Sequence, residues 1–312
     1  MRQSAKVFVF FLLVVIAAAS QYAQAANLSV NCDKNESIRN ALHLLATTNL
    51  QGPNTVTVSG SCTGNFVIQS MDRLTLIAPK GASITDHSNG SLAVVDIEDS
   101  HSVTVRGFTI NGGAQGILCG TASVCYLTGN RIQGAHGGFG VNVVKGSRAF
   151  LKSNVIQNWS RGAFIDQSAE VFSRNDVFQD NGGSAIVVIN RSYFESSNSR
   201  LDNNGVGIEA GGSGVFLGGG TISGNTSDGV RVLAASEVIT QGPTITANGG
   251  SGVLVKDGSF AGFLSASITG NLSGLDVKCE AQFPITSFVD RTGGITNCVE
   301  PAVAQARREV TK

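Results

Sequence analysis

The chain has 312 residues, with 22 Lys and Arg against 22 Asp and Glu, so its formal charge is zero. A balance of this kind argues against a nucleic-acid partner, because that binding rests on clustered cations that neutralise phosphates. The six cysteines are an even set, which outside the reducing cytoplasm favours disulfides over metal sites.

In chain order, Arg2 and Lys6 introduce the apolar run Val7 to Ala19, which leads to Ala23-Gln24-Ala25, a small-x-small peptidase site. Residues 1–25 therefore read as an export signal that is too short to span a bilayer, which needs about 20 apolar residues. The expectation is a secreted or periplasmic protein that begins near Ala26 and is not inserted in a membrane. Losing the leader leaves 20 cationic residues against 22 acidic ones.

Residues 26–100 are expected to form a cap and irregular first coils. After Ser37, the stretch "IRNALHLLA" carries Ile38, Leu42 and Leu45 at helical spacing and predicts an amphipathic plug. Val56/Val58, Val67, Leu74/Leu76, Ile84 and Val95/Ile97 supply strands of the starting coils. His87 and His101 fall here without metal-like partners, so zinc is not expected.

From 101 to 278 one phrase keeps returning. An apolar position recurs at Ile110, Ile132, Ile156, Phe178, Leu201, Ile222, Ile245 and Ile268, in steps of 21 to 24 residues. A second column runs from Ile117 through Val141, Ala163, Ile186, Ile208, Val230 and Val253 to Leu275, and a third from Val103 through Cys125 to Ala261. Period-two alternation, as in Val230-Arg231-Val232, makes each segment a short strand. Three strands per coil of about 22 residues predict a single-stranded right-handed parallel β-helix, all-β, whose core comes from stacking. Asn181, Asn204, Asn225, Asn248 and Asn271 follow the Ile column by three residues and suit an internal ladder at a sharp turn. Asn27, Asn35, Asn89, Asn158, Asn190, Asn225 and Asn271 are nominal sequons, two of which the ladder itself explains. Residues 279–312 read as a C-terminal cap with a polar tail at 304–312. Neighbouring cysteines are expected to pair as Cys32–Cys62, Cys119–Cys125 and Cys279–Cys298, with buried free thiols as the alternative.

The helix before "TVTVSGSC", then "RLTLIAPKGASI", "VTVRGFTINGG" and the Gly-Asn…Gly-Val phrases, resemble secreted bacterial right-handed parallel β-helix repeat proteins of the pectin-lyase-like superfamily. That resemblance implies a preference for polysaccharides held along one sheet. The signatures of its polygalacturonase-like, pectate lyase and alginate epimerase branches are missing. Arg131-Ile132-Gln133 and Ala135-His136-Gly137 are only out-of-order echoes, without the paired carboxylates of glycoside hydrolysis.

A site would lie on the outside of the second column, at Leu118, Asn142, Phe164, Val187, Glu209, Arg231, Leu254 and Asp276. The best cluster joins His136, Asn142, Trp159, Arg161 and Asp166. There an exposed indole would stack on a sugar, Arg161 would grip a uronate carboxylate, and Asp166 with Asn142 would hold sugar hydroxyls or calcium. The competing reading has Trp159 covering a bulge between coils and His136 solvated; Glu209 and Arg231, from successive coils, would simply pair. No cofactor or metal is required. The expected function is binding of an extracellular polysaccharide or cell-surface glycan by a monomer. The alternatives are a uronate-polysaccharide lyase, with Arg161 or His136 as the catalytic group, and a structural or adhesive solenoid.

Overall fold

A computed structural model describes residues 25–280, 288–290 and 295–298. The expected leader at 1–25 lies outside these residues apart from Ala25, and so does the polar tail at 304–312. Among the described residues no helix is long and apolar enough to cross a membrane.

Alternation builds one wall of the solenoid from ten parallel strands, one per coil, running from Phe66–Gln69 to Val277–Glu280. Its inward row stacks Ile117, Val141, Ala163, Ile186, Ile208, Val230 and Val253 in register, and each is fully buried. Among the described residues the other nineteen strands link into a second sheet that supplies the remaining walls. In the regular coils a five-residue strand such as Val124–Thr128 turns at Gly129-Asn130 into a three-residue strand such as Arg131–Gln133. This is the right-handed parallel β-helix that the repeat predicts. In the first coils the long strands Asn54–Thr63 and Leu74–Thr85 pass the same corner through register shifts instead. At that corner Gly107 has a φ of +79°, and a Cβ there would stand 2.7 Å from Ala78 O, so the turn needs glycine.

The N-terminal helix spans Ile38–Thr48 and is capped by Ser37, whose Oγ accepts from Asn40 N. Ile38, Ala41, Leu42 and Leu45 are buried on one face, as their spacing predicts. Each of the three large side chains contributes about 1.5–3 kcal/mol by leaving water. A strand that the sequence reading missed, Ala26–Asn31, precedes the helix and pairs in parallel with Asn54–Thr63.

Val67 lies in a strand of the first coils, as expected, but points outward, and one inward position further on needs correction. Val67 is 56% exposed, and its neighbours Phe66 and Ile68 face the core. In the last coil Val277, not Leu275, stacks on Val253, because Val277 follows Ile268 by nine residues where Val253 follows Ile245 by eight. The sequence "GLDV" imitates the earlier "GVLV" phrase but lies two places out of step.

The asparagine ladder is present. Nδ2 of Asn181, Asn204, Asn225 and Asn248 each donates to Oδ1 of the next member, at 2.8 to 3.1 Å. Asp276 Oδ1 receives the last, Asn271 Nδ2, and a carboxylate suits the end because it has no proton left to donate. A second ladder, at the turn between the five- and three-residue strands, joins Asn130, Asn154 and Asp176 in the same way. Burial raises the Asp176 carboxyl, against the bonds from Asn154, Ser173 and the Arg174 amide. Serines line the third corner, where Ser123, Ser147, Ser236 and Ser259 each accept a backbone N–H of the preceding coil.

All three expected disulfides are formed, and the described residues contain no free cysteine. Cys119 and Cys125 are fully buried and tie the ten-stranded wall to the next wall through the core. Disulfides of this kind suit an extracellular or periplasmic environment.

Candidate functional site

The outer face of the ten-stranded sheet carries one continuous axial row. Register aligns Asp96, Leu118, Asn142, Phe164, Val187, Glu209, Arg231 and Leu254 and ends at Lys278, so Asp276 is displaced from this row into the ladder. Adjacent coils in such a sheet are about 4.8 Å apart.

Trp159 is fully buried, which overturns the exposed-indole reading. Its ring points inward: Nε1 donates to Ile132 O at 3.2 Å, the same kind of bond that Asn204 Nδ2 makes to Phe178 O. Its backbone N–H donates to Asn181 Oδ1, so the indole takes the first place of the asparagine ladder. The room comes from neighbouring glycines; a Cβ on Gly134 would stand 2.6 Å from the ring.

The other candidates separate. Arg161 lies over two rings, 5.7 Å from the Phe139 centroid and 5.8 Å from that of Phe164, and those rings stack at 4.7 Å. Its guanidinium has no carboxylate partner among the described residues. Asn142 is the register neighbour of Phe164 and keeps only 9% of its surface exposed. Asp166 Oδ1 closes a turn, accepting from Gln167 N at 2.6 Å and Asn190 Nδ2 at 2.7 Å. His136 is exposed on a corner with its ring unpartnered. Glu209 and Arg231 are register neighbours but do not bond to each other. Glu209 accepts from Ser184, while Arg231 binds Asp228 Oδ2 at 2.7 Å and Ser227, because Asp228 lies on its own coil and closer.

Beside this row a groove of about 580 Å³ opens between Phe139, the glycines at 112, 113, 137 and 138, and the loop from Asp86 to Gly90. Asp86 braces that loop. Burial pulls its carboxyl upward, but bonds from Ser88, Asn65 and the Gly90 amide outweigh this and hold it at about 2.

Sequence reasoning missed the acidic end of the row. Asp96 and Glu98 share the strand Ala93–Glu98, and both face outward because Val95 and Ile97 face in. Burial, and then the negative charge of Glu98, push Asp96 up to about 6 against the opposing pull of Lys145. Asp96 Oδ1, Glu98 Oε2 and Asn142 Oδ1 are buried without a hydrogen-bond partner. The alternation Val95-Asp96-Ile97-Glu98 was the available signal. Among the described residues no group of three or more His, Cys, Asp or Glu is arranged to hold a metal ion.

The family model described as right handed beta helix region matches residues 93–208 and 139–286. The chain belongs to the right-handed β-helix family. No curated protein sequence matches it. Among solved structures, this β-helix is similar to the A-module of the Azotobacter vinelandii mannuronan C-5 epimerase AlgE4, with a TM-score of 0.62, 14% identity, and coverage of 90% of this chain and 95% of that one. The A-module of AlgE6 from the same organism matches with a TM-score of 0.62, 15% identity, and coverage of 85% and 91%. The pectate lyase Pel9A matches with a TM-score of 0.52, 12% identity, and coverage of 80% and 78%. These likenesses are of fold, and they bear out the resemblance to the pectin-lyase-like superfamily at that level.

Proposed function

We propose that this β-helix protein binds a polysaccharide or cell-surface glycan along the outer face of its ten-stranded sheet. The observation that supports this best is the uninterrupted row Asp96, Leu118, Asn142 and Phe164, which combines unpartnered acceptors with an aromatic pair topped by a free guanidinium. Sugars offer both hydroxyl donors and apolar C–H faces, so a surface mixing polar groups with rings suits them. Similar folds in an epimerase and a pectate lyase are in keeping with this reading. The test is a glycan-array screen of the disulfide-bonded protein, followed by titration of the best hit. Phe164→Ala and Arg161→Ala should each weaken that hit by roughly tenfold, about 1.4 kcal/mol. An array without hits, or hits indifferent to both variants, would remove this face as the site.

Lyase chemistry on a uronate glycan remains a second reading, and Asp96 favours it more than His136 or Arg161 does. A carboxyl pushed up to about 6 suits proton transfer near neutral pH. Formation of an unsaturated, ultraviolet-absorbing product from pectate or alginate tests it, and Asp96→Asn should abolish that product.

A further inference from the structure

Five side-chain atoms among the described residues are buried without a hydrogen-bond partner, all of them oxygens, and three belong to the strip formed by Asp96, Glu98 and Asn142. Buried polar atoms normally have partners, and leaving one bare costs about 1–3 kcal/mol. Three bare acceptors on one outward strip describe a surface that takes donors from outside the chain. Asn142 is the independent member. It carries no charge, is nine-tenths buried, and projects from the same face between inward Val141 and Val143, two coils beyond Asp96.

The local geometry shapes the acidic end. Glu98 lies across the next coil, where Gly120 leaves it room; a Cβ at that position would stand 2.6 Å from Glu98 Oε1. Leu118 separates Asp96 from Asn142 along the row, and Val67 flanks Asp96 on the other side, so neither neighbouring strand supplies a cation. Among the described residues Lys145 is the one cation that bears on Asp96, against two carboxylates, and it makes no ion pair with either. The strip therefore holds surplus negative charge beside apolar surface. That surplus weighs against the uronate of the second reading, and a neutral hydroxyl would satisfy the acceptors without balancing the charge.

We infer that the Asp96–Glu98 end of the sheet receives a protonated amine, so that the glycan it prefers carries free amino sugars. An ammonium offers three donors and one positive charge, which matches two carboxylates better than any neutral sugar substituent does. This inference rests on the glycan-binding reading and names the class of sugar at one end of that site.

Calorimetric titration with three oligosaccharides of equal length tests it: a glucosamine oligomer with free amines, its fully N-acetylated counterpart, and a uronate oligomer. The free-amine oligomer should bind roughly tenfold or more tightly than the N-acetylated one. The double variant Asp96→Asn/Glu98→Gln should erase that preference, so that the free-amine and N-acetylated oligomers bind it alike. Gly120→Ala, which pushes the Glu98 carboxylate aside and keeps its charge, should reduce the preference in part. Equal affinity for the amine and acetylated forms, or a preference that survives the double variant, overturns the amine assignment. Preference for the uronate oligomer overturns it too, yet leaves the glycan site standing. Failure of all three oligomers and of the array to bind removes the glycan site itself.

Discussion

The corners of the solenoid and the outer face of its ten-stranded sheet treat buried polar groups in opposite ways. At the corner from Trp159 to Asp276 every step hands a donor to an acceptor, and both ladders end on a carboxylate that accepts without donating. On the outer face, Asp96, Glu98 and Asn142 hold oxygens that nothing among the described residues satisfies. Both sets are polar and largely withdrawn from water. The difference is that the corner amides complete the backbone's own hydrogen bonding, whereas the face oxygens add nothing to the fold. A repeat that supplies partners along its corner ladders and leaves three acceptors bare on one strip points to that strip as the place where another molecule is met.

This contrast predicts a graded set of effects on stability. Trp159→Ala should be the most severe, because it empties the glycine-lined space and takes the indole N–H away from Ile132 O, although the backbone bond to Asn181 survives. A loss of about 3–5 kcal/mol is expected from equilibrium urea unfolding followed by circular dichroism. Asn204→Ala should come next: it strips Asn181 N and Nδ2 of their acceptor and leaves Phe178 O bare. A loss of about 2–4 kcal/mol is expected for several orphaned groups. A ladder variant that unfolds like the parent would mean that water replaces the amide without penalty.

Asp96→Asn should run the other way and be small. The folded carboxyl sits at about 6, above its ordinary 3.8, so ionising it works against the fold. The stability it contributes is fully present below pH 3.8 and is lost as pH rises through 6. Replacing it with Asn should therefore stabilise the protein at pH 7–8, by on the order of 1 kcal/mol after solvent screening, and the gain should fade towards pH 4. Thermal melts of the two proteins across that range check this. A gain that is constant with pH would mean that Asp96 ionises as freely as in the unfolded chain.

Much of the architecture was legible because the β-helix repeats one steric rule. Ile132, Ile156 and Ile222 all occupy the same inward slot, and a side chain that must be buried in every coil writes its period into the chain. Asn181 to Asn271 were readable as a ladder for the same reason. Leu275 misled because periodicity cannot register a lengthened turn when the phrase after it looks alike. Trp159 misled because a lone large residue at a ladder position has two homes, outside against a ligand or inside against glycines. Gly134 and Gly140, which decide between them, carry no side chain that would announce their purpose.

The site was less legible than the fold. Arg161 and Asn142 were singled out and lie near one another, but the two phenylalanines that Arg161 covers could not be seen to stack until successive coils were aligned. Asp96 and Glu98 passed unnoticed among irregular first coils whose register the repeat did not yet govern.

By itself, the sequence determined the winding, the inward columns and the capping helix, because each follows from a short-range period in the apolar residues. Only the tertiary structure decided which polar atoms are satisfied. That depends on what the coils above and below present at one height, and neighbours along the solenoid axis are some 22 residues apart in the chain.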